Sequence, residues 1–170
     1  GDSINWLIMT QISVKTGFSK QKVNKRSEEI NAVSSAYGFD QVHQAQFDTT
    51  LLDTIPKAEL VVEVTKTISE IKPEIIYLPY RTDSHSDHEM VFDTLSSCAK
   101  TFRFPFINKI RAYETLSETE FGLRPEDSGF RPNLFVNIND YLDRKIEIMK
   151  IYQGELGEHP FPRSAKNIEA

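Results

Sequence analysis

The chain has 170 residues, 39% hydrophobic and 26% charged, with a formal net charge of -5, a balance that suits one folded domain, residues 1–170, and excludes a disordered chain. The acidic charge argues against nucleic acid as a partner, and Lys20, Lys22, Lys25 and Arg26 read as a solvated helix face. No apolar run approaches the roughly 20 residues of a membrane span, no leader is expected before Ile4, and the lone Cys98 excludes a disulfide framework and fits a reducing, cytoplasmic setting.

Taken in chain order, Ile4 to Thr10 is a short apolar run that predicts a strand buried on both faces. Lys15 to Asn24 reads as a loop. Val23, Ile30, Val33 and Tyr37 recur near helical spacing, and Gly38 supplies the stop. Asp40 to Phe47 predicts a second strand, polar on one face. Leu60, Val64, Ile68 and Ile71 mark an amphipathic helix opened by Pro56 and closed before Pro73. Glu74 to Leu78 is the best strand, ended by Pro79, and the polar segment Tyr80 to His88 follows as a loop. Met90 to Lys100 predicts a helix with Val91, Leu95 and Cys98 on its apolar side. Phe102, Phe104 and Phe106 alternate like a strand, and Phe106 to Tyr113 predicts one. Glu114 to Arg131 is a long loop, a candidate lid or oligomer contact by its length. Asn133 to Ile138 predicts a short strand. Asn139 or Asp140 can cap a helix to about Tyr152 that buries Leu142, Ile146 and Met149. The tail from Gly154 to Arg163 reads as irregular.

Strands alternating with helices predict an α/β fold: a Rossmann-like three-layer sandwich around a mostly parallel sheet. Ligands in such sheets sit beyond the carboxyl ends of the strands. That rule points to the loop after Leu78, which reads Arg81-Thr-Asp83-Ser-His85-Ser-Asp87-His88. Two of the chain's four histidines stand three residues apart there, interleaved with two carboxylates. Imidazole and carboxylate are ligands of catalytic zinc, and a ligating histidine needs an acceptor on its other nitrogen. Asp83 and Asp87 can serve as ligand or acceptor. The plain reading is a polar loop whose Asp and Ser cap the next helix. His43, flanked by glutamines, reads as structural, and His159 as a loop residue.

The segment Asp83-Ser-His85-Ser-Asp87-His88 resembles the second signature of the LmbE-like deacetylases, the family that includes the GlcNAc-PI (PIG-L) and mycothiol-pathway deacetylases. Further stretches match in the same order: Arg26-Ser-Glu-Glu29, Tyr37-Gly38-Phe39, Phe47-Asp48, Pro132 to Asn137, and Lys145 near Tyr152. The resemblance implies a metal-dependent hydrolase that removes an acetyl group from an N-acetylated sugar or glycoconjugate. It implies zinc or another divalent first-row ion, with His88 as a ligand. It casts His85 as the group that stabilises the oxyanion or protonates the leaving amine, best as imidazolium. Asp87 would orient and charge-tune His85, and Arg26, Asp48 and Asp83 would bind substrate. It also leaves room for a homo-oligomer.

The family's first signature, His-Pro-Asp-Asp, supplies two metal ligands and the general-base aspartate, and it is absent from this sequence. The metal site is therefore expected to be incomplete here. The chain is expected to be truncated, lacking the first strand and helix at its start and further structure at its end. Two alternatives stay open: a catalytically inactive relic of the fold, and a sugar- or nucleotide-binding Rossmann-like module. The second needs a glycine-rich turn after the first strand, where only Gly17 is found.

Overall fold

The computed structural model describes residues 1–123 and 129–170. They form two compact units, one of Gly1–Ile4, Ile12–Val42 and Arg131–Ala170, the other of Asn5–Gln11 and His43–Phe130. The expected lid loop, 114–131, is described up to Leu123; residues 124–128 lie outside the described residues.

The second unit holds the apolar core. Strand β1 (Asn5–Gln11) pairs with β2 (Gln41–Asp48), whose residues from His43 onward belong to this unit. β1 is only partly buried, with Met9 alone fully inside, so the expectation of a strand buried on both faces is corrected. Helix α2 (Lys57–Ile71) buries Leu60, Val64, Thr67 and Ile68, spaced as one helical face. It stops where Lys72 turns left-handed at φ 52° before Pro73, which cannot continue the ladder. Strand β3 (Ile75–Pro79) runs parallel to β4 (Lys109–Tyr113), in register from Ile75 opposite Lys109 to Pro79 opposite Tyr113.

Helix α3 (Ser86–Cys98) packs on both α2 and β3. It starts four residues before the predicted Met90, because its first turn carries the polar motif and no apolar periodicity. Leu52, Leu60, Val64, Leu78 and Cys98 are almost completely enclosed. Each buried aliphatic side chain contributes about 1.5–3 kcal/mol.

The parallel pairing fits the sequence reading. Ile76 and Leu78 point into the core while Ile75 and Tyr77 lie on the open face, Tyr77 58% exposed beneath the Arg111 guanidinium. The alternating Phe102, Phe104 and Phe106 are not in a strand. They sit in consecutive turns that bury Phe104 and leave Phe102 outside.

The first unit is built differently. Helix α1 (Lys20–Tyr37) starts at Lys20 rather than Val23, because the Ser19 side chain accepts the Lys22 N–H at 3.2 Å. Gly38 ends it at φ 73°, a conformation that suits glycine. Its buried residues are Glu29 and Val33. Helix α4 (Leu142–Met149) follows a single 3-10 turn, Asn139–Tyr141, and packs against α1. Its buried residues are Ile146 and Ile148; Met149 is only half-buried, and neither Asn139 nor Asp140 caps it. A short α5 (Ala165–Glu169), not foreseen in the sequence, is capped by Ser164. The predicted strand 133–138 is not formed. These residues are exposed coil despite their alternation, since among the described residues no strand takes up their backbone groups. None of the described helices is long and apolar enough to cross a membrane.

Candidate active site

At the carboxyl end of β3 the chain passes from buried Leu78 and Pro79 through a short loop into α3. The helix N-cap is His85, in extended conformation, and its Nδ1 accepts the backbone N–H of Asp87 at 3.2 Å. A Ser or Asp side chain makes this bond in most helices. A ring nitrogen that accepts a hydrogen bond carries no proton, so the His85 proton lies on Nε2.

One turn later His88 stacks on His85, with ring centroids 5.1 Å apart and planes inclined by 16°. Behind it lies Asp83, whose side chain has no exposed surface. Asp83 Oδ2 is 2.7 Å from His88 Nδ1, and Oδ1 accepts from the Thr119 hydroxyl at 2.7 Å. A carboxylate can only accept, so His88 Nδ1 carries a proton, and in the neutral ring Nε2 keeps its lone pair. The ring retains about a quarter of its surface, 24%, exposed.

These contacts place two of the expected residues. Both oxygens of Asp83, expected to bind substrate, are engaged by His88 and Thr119, and its side chain has no exposed surface. The carboxylate of Asp87, expected to tune His85, accepts the backbone N–H groups of Thr50 at 2.7 Å and Leu52 at 3.2 Å. Asp87 meets His85 through its own backbone N–H. The contact between the two residues is thus His85 Nδ1 with the Asp87 backbone N–H, and the Asp87 carboxylate lies on the turn after β2.

The Asp87 contacts have a second consequence. Thr50 is a β-branched residue at φ 63°, a costly left-handed conformation that persists only when its surroundings enforce it. Asp87 supplies that enforcement and ties the turn after β2 to the first turn of α3. The half-buried Asp48 sits two residues before Thr50, at the end of β2. No described residue hydrogen-bonds its carboxylate, which leaves it available to a ligand.

Several contributors escaped the sequence reading. The Arg81 guanidinium bridges Asp93 at 2.7 Å and Glu89 at 3.0 Å and anchors the loop to α3. Ser84 is held by Glu118 through two hydrogen bonds, to its backbone carbonyl at 3.1 Å and its carboxylate at 2.6 Å. Tyr113 ends β4 opposite Pro79, and burial, then the nearby Asp83 charge, push its phenol above the ordinary range. The residues from 114 on looked like a free lid in sequence. Their first part is instead fastened to the motif.

Arg26, expected to hold substrate, belongs to the other unit. There its guanidinium pairs with Glu155 at 2.6 Å and Glu29 at 3.4 Å and lies over the Tyr152 ring. Glu155 also pairs with Arg163 at 3.2 Å, and Glu29 accepts the Gln153 N–H. Burial pushes the Tyr152 phenol up to about 12; Arg26 opposes the shift, while Glu29, Tyr37 and Glu155 add to it.

In its neutral form His88 has a bare Nε2 and a buried carboxylate behind its Nδ1, the arrangement of a metal-binding histidine, and would offer one donor. Among the described residues no group of three or more His, Cys, Asp or Glu side chains could hold a metal ion. The donors fit a divalent cation in kind but not in number.

Residues 3–99 match the sequence profile of PIG-L, GlcNAc-PI de-N-acetylase. The fold is similar to that of the conserved protein TT1542 from Thermus thermophilus, with TM-score 0.67 and 18% identity over 96% of this chain and 70% of that one. It is also similar to N,N'-diacetylchitobiose deacetylase from Pyrococcus horikoshii, with TM-score 0.62 and 18% identity over 88% of this chain. The chain spans 58% of the length of that deacetylase. At such identity the two likenesses establish the fold.

Proposed function

The chain belongs to the PIG-L (GlcNAc-PI de-N-acetylase) family, and from that premise we propose that it is the motif-bearing part of a metal-dependent N-deacetylase acting on an N-acetylated sugar or glycoconjugate. In this reading residues 1–170 form one domain of a three-layer Rossmann-like fold. The observation that carries it is the Asp83–His88 pair, which leaves a bare imidazole nitrogen at the carboxyl end of a parallel strand.

His88 would be one ligand of the cation, zinc or another first-row divalent ion. When bound, such an ion lowers the pKa of its water toward about 7 and polarises a carbonyl. The family's remaining ligands and its general base lie in the His-Pro-Asp-Asp signature, which these residues do not contain, so no base is assigned here. His85 presents Nε2–H beside His88, where it donates to the oxygen that gains charge as water adds to the amide carbon. Cleavage of the C–N bond then releases acetate and a free aminosugar. Asp48 is the group for sugar hydroxyls. A substrate role for Arg26 requires a ligand oxygen to replace Glu155 on its guanidinium.

The test is acetate release by the intact protein from N-acetylglucosamine, a nucleotide-linked N-acetyl sugar and an N-acetylglucosaminyl glycolipid. The expected result is turnover of at least one, with His85→Ala slower by about 10²–10³-fold, the effect of losing one oxyanion donor. No acetate from any of them, in protein carrying its metal, would sink the proposal.

A further inference from the structure

We propose that Thr119 is a positioning residue for His88, acting through Asp83 to hold the His88 proton on Nδ1. What this does for metal binding rests on the deacetylase reading; the proton's position does not.

Thr119 opens a 3-10 turn, Thr119–Phe121. Its Oγ1 accepts the backbone N–H of Thr115 at 2.8 Å, and an amide nitrogen can only donate. The hydroxyl hydrogen is therefore free for Asp83 Oδ1, 2.7 Å away. Asp83 accepts there and, through Oδ2, from His88 Nδ1. The side chain of Asp83 is wholly enclosed, so no water competes for either oxygen. The bonds converge on Asp83, from the Thr115 amide through the Thr119 hydroxyl on one side and from His88 Nδ1 on the other, and in the neutral ring they leave Nε2 unprotonated.

The turn is held in place independently of these bonds. Ser84 donates to Glu118 from both its backbone N–H and its hydroxyl. A Cβ at Gly122 would lie 2.1 Å from the Thr82 carbonyl oxygen, so only glycine lets the turn come this close to the motif. Without the Thr119 hydroxyl, Asp83 Oδ1 loses its partner and the bond through Oδ2 alone positions the carboxylate. The acceptor that selects the His88 tautomer is then less firmly placed, and the Nε2–H form, which cannot ligate through Nε2, becomes more populated.

Long-range proton–nitrogen correlation spectra of the histidine-labelled chain read the tautomer directly, with no metal or substrate present. The parent and Thr119→Ser should show His88 protonated on Nδ1. Thr119→Val should shift the tautomer ratio toward Nε2–H by about tenfold, the scale of one hydrogen bond to a charged group. Thr119→Ala removes the same hydroxyl with a smaller side chain and gives the same readout should the valine variant unfold. An unchanged tautomer in either hydroxyl-free variant, or a shifted one in Thr119→Ser, overturns the proposal. In the intact protein, Thr119→Val should also weaken zinc affinity by about 10–100-fold, and Thr119→Ser should restore it. If the intact parent binds no zinc, the deacetylase reading fails while the tautomer result stands.

Discussion

Each of the two units of this chain is stabilised by its own kind of contact. The unit with β3 and α3 encloses a continuous apolar cluster that includes Leu52, Leu60, Val64, Ile68, Leu78, Leu95 and Cys98. The unit with α1 and the C-terminal helices buries Val33, Ile146 and Ile148, and relies on Arg26, Glu29, Glu155 and Arg163 for its cross-links. Close-packed apolar contacts resist small displacements, whereas half-exposed ion pairs contribute little and weaken with salt. The motif histidines sit on the first kind of support, which suits a site where displacements of an ångström matter.

Substitutions sharpen this contrast. The largest expected effect is Leu60→Ala, which removes a fully enclosed side chain from α2 and should cost about 2–5 kcal/mol in denaturant unfolding. A cost near zero would mean that the cluster is not the main support of its unit. Next comes Gly122→Ala, whose new methyl meets backbone; a loss of about 1–3 kcal/mol is expected. Its counterpart in the other unit, Gly157→Ala, meets the Phe161 side chain no closer than 2.7 Å, against 2.1 Å to backbone at Gly122, so it should cost less. Equal melting shifts for the two glycines would break the comparison.

Glu155→Gln weakens the links of Glu155 to Arg26 and Arg163 and should cost about 1 kcal/mol or less. That cost should shrink as salt rises, and a salt-independent cost would contradict an ion-pair origin. The smallest effect is confined to high pH. The Tyr152 phenol ionises near 12 in the fold against about 10 when unfolded. The fold therefore favours the neutral phenol, a contribution complete below about pH 10 and lost as the pH rises to about 12. Ultraviolet titration should show a late phenolate step that Tyr152→Phe removes.

The chain's punctuation and the place of its motif loop were legible. Gly38, Pro56 and Pro73 bound their helices as residue chemistry demands, and the motif after Leu78 lies at the end of a parallel strand. What escaped was set by partners distant in sequence. Nothing in Thr119 announces that it will meet Asp83, 36 positions earlier. The family resemblance implied that the Asp87 carboxylate serves His85. The strained turn at Thr50 claimed the carboxylate instead. Asn133 to Ile138 alternates like a strand, yet alternation makes a strand only where a neighbour takes up its backbone groups.

The central claim is that His88 grips a cation while His85 acts on the reacting oxygen. Elemental analysis of the intact protein, purified as parent, His88→Ala and His85→Ala, tests it directly. The account predicts that His88→Ala loses its metal and that His85→Ala keeps it at the parental ratio. Full occupancy in the His88 variant would contradict it.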